Sequence, residues 1–159
     1  AQVTIEKIVS GGQTGADRTG LDWAIFRGVP HGGWCPKGRR SEDGQIPPHY
    51  ALTETPASNY LKRTEWNVRD SDGTLVFTLD RELTGGSLRT AMFAKKHGKP
   101  CLHVHPGLSY NIVADVLRFV TDNSIKVLNI AGTRGSKEPH VGKFVKKVLE
   151  EAFFPRPAG

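Results

Sequence analysis

The chain has 159 residues, of which 37% are apolar and 24% charged, a length that makes one domain and buries a core without disulfide or metal staples. No apolar run approaches the ~20 residues that cross a bilayer, and "AQVTIEKIVSGG" has no basic segment leading into an apolar one, so the sequence reads as cytoplasmic, with no membrane partner. Twenty-two Lys and Arg against sixteen Asp and Glu give +6, but the basic residues are scattered and not interleaved with aromatics, which favours a small anionic ligand over specific nucleic acid.

In chain order, "KIVSGG" predicts a short buried strand running into a turn, and Asp17 to Phe26 predicts a helix with Leu21, Ala24 and Ile25 on one face. Residues 35–72 are rich in Pro, Gly and charge and are long for a plain connection, which marks a functional loop with a short strand at "YALTET" and a helical turn near "NYLKRTEWNV". "GTLVFTL" (73–79) predicts a strand, and Leu88, Ala91, Met92 and Lys95 recur at helical spacing after it. A strand at 100–105, a helix near 110–121, a strand in "KVLNIAGTRGS" and a helix from about His140 to Phe153 complete the pattern. Strands alternating with helices predict an open, doubly wound α/β fold with a mostly parallel sheet covered on both faces. Cys35 and Cys101 lack CxxC spacing and read as free buried thiols.

Three turns that follow strands are glycine-rich: "SGGQTGAD" (10–17), "LTGGSLRT" (83–90) and "AGTRGSKE" (131–138). In a parallel sheet such turns gather along one edge, where exposed amides at helix starts attract anions. The same glycines also suit tight turns, so any one loop is ambiguous. Together, with their hydroxyls and with Arg89 and Arg134, they point to phosphate or another tetrahedral oxyanion. The expected ligand-binding residues are Gly11, Gly12, Gln13, Thr14, Gly15 and Asp17 in the first loop, Gly85, Gly86, Ser87 and Thr90 in the second, and Gly132, Thr133, Arg134 and Ser136 in the third. Arg63 is an added anion clamp. No lysine completes a P-loop in "GGQTGADRTG", and neither GxGxxG nor GxSxG is present there.

These segments, together with "GGWCPKGRRSEDGQIPPHYALTET" (32–55), "RTEWNVRDSDGTLVF" (63–77) and "LNIAGTRGSKEP" (128–139), resemble the molybdenum carrier family. Its members are circularly permuted YpsA-like proteins of the superfamily that includes the lonely guy phosphoribohydrolases. The resemblance implies a Rossmann-like fold, homo-oligomers, and a cofactor or ligand that is a nucleotide or a molybdenum cofactor, a pterin phosphate. Enzymes of that superfamily carry a glutamate in "PGGxGTxxE"; the counterpart "TGGSLRTA" lacks it and has Thr84 for the proline, which speaks against phosphoribohydrolase activity.

If a reaction is catalysed, such as cleavage of an N-glycosidic or phosphate bond, Glu42 and Asp43 of "SEDG" are the expected acid and base. Asp17 fits a favourable charge at a helix start equally well. His103 and His105 share a strand face, but no third ligand accompanies them, so no metal site is expected. Trp34 and Trp66 suit either stacking on a flat ring or core packing.

Overall fold

The structure is a computed structural model and describes residues 4–155; the single domain expected over 1–159 extends at each end beyond the described residues. Its frame is a five-stranded parallel sheet of β1 (Lys7–Val9), β2 (His31–Gly32), β7 (Gly73–Phe77), β8 (Cys101–Val104) and β9 (Val127–Gly132), in the order β2-β1-β9-β7-β8. Between β2 and β7 lie four two-residue strands: β3 (Trp34–Cys35) pairs in parallel with β6 (Thr53–Glu54), and β4 (Arg40–Ser41) forms a hairpin with β5 (Gly44–Gln45). The fold is therefore the Rossmann-like α/β arrangement that alternation of strands and helices predicts.

Helices α1 (Ala16–Arg27), α4 (Ile112–Asp122) and α5 (Val141–Phe153) pack side by side, and α2 (Tyr60–Arg69) packs on α3 (Gly85–Lys96). Strand alternation shows what each pair of layers covers. Leu75, Phe77, Leu128 and Ile130 join the main core with Trp23, Val116, Val145 and Leu149. Their neighbours along the strands point to the other face, where Asn129 donates to the hydroxyl of Thr74 at 3.1 Å. One face of the sheet is thus wholly apolar, while the other mixes Thr74 and Asn129 with Val9, Val76 and Ala131.

That asymmetry explains a departure on α3. The stripe of Leu88, Ala91, Met92 and Lys95 turns outward, with Leu88 43% and Met92 61% exposed, while Ser87, Thr90 and Ala94 are buried. That mixed face takes small side chains, two of them hydroxyls, beneath the helix. On α1, Leu21 and Ala24 are buried as expected and Ile25 is not. The helical turn expected near 59–68 is a full helix, α2, started by Asn59, whose side chain accepts from the amide of Lys62 at 3.3 Å.

Cys35 is buried and Cys101 half-buried, and both are free thiols. Burial pushes Cys101 up to about 11 and raises Cys35 as well. Little thiolate is therefore present in the folded state near neutrality. A colorimetric thiol assay at ~pH 8 should find both cysteines slow in native protein and rapid once urea unfolds it; fast native labelling would contradict the packing. None of the helices of the described residues is long and apolar enough to cross a membrane.

Candidate functional site

Strand order reverses direction between the β1–β2 pair and the β7–β8 pair, with β9 between them, and the turns leaving β1, β7 and β9 meet there. The result is a cleft of about 460 Å³, walled by those three turns and by α2. Of the residues expected to bind ligand, Gln13, Asp17, Arg63, Gly85, Gly86, Ser87, Thr90, Gly132, Thr133 and Arg134 line it. Thr84 and Arg89, noted within the second loop, line it too, as do Tyr60, Leu61, Thr64 and Lys137, which the sequence did not single out.

At the start of α3 the cap residue Thr84 makes no side-chain bond to the helix, so the first amides, from Gly85 on, have no acceptor within it. A Cβ on Gly85 or Gly86 would meet nothing within 4 Å and both residues line the cleft, so no side chain crowds this end of α3. Ser87 and Thr133 are only 7% and 6% exposed yet line the cleft, so the accessible part of each faces inward. Lys137 donates to the hydroxyl of Thr84 at 2.5 Å, bringing the third loop to the second. Arg63 and Arg134 both lie over the ring of Tyr60, at 5.7 and 5.9 Å.

Four cations, Arg63, Arg89, Arg134 and Lys137, face one lining carboxylate, Asp17. Asp17 is 3% exposed and accepts from Arg63 Nη1 at 2.9 Å and from the amide of Gln13 at 3.4 Å. Burial raises its pKa, and Arg63 opposes the rise. The Nε of Arg63 is buried without a partner. The cleft is consequently electropositive, with its acid already engaged.

Gly11, Gly12, Thr14, Gly15 and Ser136 are absent from the lining. Gly11 lies under Arg63, whose Cδ would stand 2.9 Å from a Cβ there, and Gly12 packs on Ile46 and Leu52. Gly15 adopts φ +81° where the first and third loops touch, and Thr14 accepts from the amide of Gly135 at 3.1 Å. Thr14 and Gly15 thus join the first loop to the third, while Gly11 and Gly12 seat the first loop against Arg63, Ile46 and Leu52.

Glu42 and Asp43, the expected acid and base, also lie outside the lining, at the tip of the β4–β5 hairpin. Glu42 accepts from the hydroxyl of Thr14, from Ser136 Oγ at 2.6 Å and from the Ser136 amide at 3.2 Å. Asp43 pairs with Arg18 at 2.5 Å, and Gln13 donates to the carbonyl of Arg40 at 2.8 Å. Donors on Ser136 and Thr14 hold the Glu42 carboxyl below its usual range, and Arg18 does the same for Asp43. For groups lowered in the folded state, the stability they add is present above the ordinary carboxylate range and disappears as pH falls through their folded values. Acidification should therefore release the hairpin while the sheet persists, which amide spectra across an acid titration would show as shifts confined to 40–45 and to the first and third loops.

Trp34 and Trp66 meet edge to face at 4.8 Å, and Trp34 donates to Asp70, away from the cleft. His103 bonds the hydroxyl of Thr78 at 2.6 Å and lies 4.7 Å from the ring of His105. Among the described residues no three His, Cys, Asp or Glu side chains cluster as a metal site would need.

No curated protein matches the chain. A crystal structure of a "Putative molybdenum carrier protein" from Syntrophus aciditrophicus SB is 45% identical, with 97% of this chain and 98% of that one covered and a TM-score of 0.88. The family model for circularly permutated YpsA SLOG proteins matches residues 8–153. Matched over nearly all its length, the chain belongs to the circularly permutated YpsA SLOG family.

Proposed function

We propose that the protein binds a small phosphorylated ligand, nucleotide-like or pterin-like, in the cleft between its three glycine-rich loops. The observation that carries this reading is the convergence of open α3 amides with Arg63, Arg89, Arg134 and Lys137 in one cavity of about 460 Å³, within the ~300–1,000 Å³ of small-molecule sites. The helix start favours negative charge, and arginine grips a phosphate through two parallel bonds. Tyr60 and Leu61 supply flatter, less polar wall for the group that carries the phosphate.

A thermal-shift panel of AMP, ADP, ADP-ribose, a pterin phosphate and molybdate tests it. A ligand at ~100 times its Kd adds about 2.7 kcal/mol of stability, which moves Tm measurably. Arg134→Ala and Lys137→Ala should each weaken binding of the responding nucleotide by roughly tenfold or more, the worth of one charged hydrogen bond. A flat response to every phosphorylated compound would refute the reading.

A second reading follows from the name of the 45% identical relative: carriage of molybdenum, as molybdate or as the pterin cofactor. Molybdate is a tetrahedral oxyanion and suits the same amides and guanidinium groups. Metal analysis of protein from molybdenum-replete cells decides it; molybdenum at background removes that reading. Catalysis by Glu42 or Asp43 is disfavoured on geometry, because both carboxylates already serve protein donors outside the lining. Assembly as a homo-oligomer belongs to the same family-based reading, and sedimentation reads it out.

A further inference from the structure

The "SEDG" turn sits beside the cleft rather than in it, and its bonds are unusually concentrated. One carboxylate, Glu42, takes a hydroxyl from the first loop and both a hydroxyl and an amide from the third. Thr14, one of its donors, itself accepts from Gly135. On the hairpin's other side Arg18 holds Asp43, Ser41 at 3.3 Å and the carbonyl of Gly12 at 3.0 Å. Thr133 and Arg134, which line the cleft, immediately precede the two residues so fastened.

A loop of glycine, threonine and serine has many backbone states to lose on ordering, and pinning it in advance removes that cost from binding. The Glu42 carboxylate also fills the pocket of donors that an anion would otherwise find between the first and third loops. The anion seat left open is then the α3 start, where Lys137 bonds Thr84 and Arg134 lines the same cleft.

Resting on the reading of the cleft as an anion site, we propose that Glu42 is a positioning residue: a tethered carboxylate that clasps the third loop to the first and so fixes Thr133 and Arg134 against the bound anion. It acts through Arg134, not by touching the ligand.

Two measurements test this. Without ligand, hydrogen exchange over 133–138 should quicken by roughly tenfold in Glu42→Ala, less in Glu42→Gln, which keeps one acceptor oxygen, and less in Ser136→Ala, while β7 and β9 amides stay protected. With ADP as probe, Glu42→Ala should weaken binding about tenfold, Glu42→Gln should recover part of it, and Glu42→Ala should add little once Arg134 is already alanine. Unchanged exchange in the loop overturns the clasp. Additive losses from the Glu42 and Arg134 changes overturn action through Arg134. If the wild-type protein binds no ADP or other phosphorylated probe, the anion-site reading fails, and the exchange arm still decides whether Glu42 holds the loop.

Discussion

Arg63→Ala should cost roughly 3–5 kcal/mol of stability, the usual consequence of stranding one member of a buried ion pair. Asp17 is 3% exposed and Arg63 16% exposed at its side chain, and their 2.9 Å contact is the ion pair of that carboxylate, with Arg18 a weaker charged neighbour. Removing the guanidinium leaves Asp17 desolvated, with only the Gln13 amide as donor. The loss should depend on pH. Burial already raises the folded-state pKa of Asp17, so the folded protein keeps a proton over a range where the unfolded chain has given it up. Stability from this group therefore falls as pH rises from the ordinary aspartate range through the raised value. Without Arg63 the raised value climbs further. The variant's deficit should be smaller at about pH 5 than at about pH 8 in urea titrations, and a deficit that grows on acidification would reject this account.

Gly15→Ala should be comparably damaging, at roughly 3 kcal/mol or more, because it combines two separate penalties. The residue sits at φ +81°, where side chains with a Cβ are strained. An added methyl group would also strike the third loop's backbone, with the carbonyl of Thr133 nearest and the Gly135 amide at 2.7 Å. Backbone cannot rotate away as a side chain can. Gly86→Ala is the matched control: its Cβ meets nothing within 4 Å and its φ is not positive, so folding should be spared. Gly86 lines the cleft, so on the proposed reading a methyl group there should lower ligand affinity while leaving stability unchanged. Equal melting temperatures for Gly15→Ala and wild type would show that the loops do not need this approach.

The elements legible in the sequence are those whose pattern is set by burial, together with α3, whose legible stripe of Leu88 and Met92 turns outward. Strands β1, β7, β8 and β9 are short apolar runs, and α1, α4 and α5 carry apolar side chains at helical spacing. β2 was missed because His31 and Gly32 pair through backbone alone, with no alternation over two residues. Helix α2 was underestimated for a related reason: "YLKRTEWNVR" is mostly polar, and only Asn67 and Val68 are buried. Its contribution to the cleft, Tyr60 and Thr64 beside the expected Arg63, lies at i, i+3 and i+4 on one helical face, which the packing of α2 on α3 turns to the cleft.

That the three loops gather at one sheet edge is legible, because each follows a strand of a parallel sheet. Lys137 adjoins Ser136 in "AGTRGSKE" and brings a cation to the cleft as Arg134 does. Glu42 and Asp43 show the limit. A sequence shows that a loop carries carboxylates, but whether they meet a ligand or the protein's own donors depends on tertiary placement.

The place of β9 has a consequence for how the molecule comes into being. β9 alone joins the β2-β1 half of the sheet to the β7-β8 half, pairing Lys7 with Val127 and Gly73 with Leu128. During synthesis, ribosomes deliver β1 and β7 long before this bridging strand. Until about residue 132 has emerged, two fragments of sheet wait with unpaired inner edges, and contacts so distant along the chain are slow to form. A nascent chain stalled before β9 should therefore engage chaperones and protease strongly, and the three loops become neighbours only as the last strand docks.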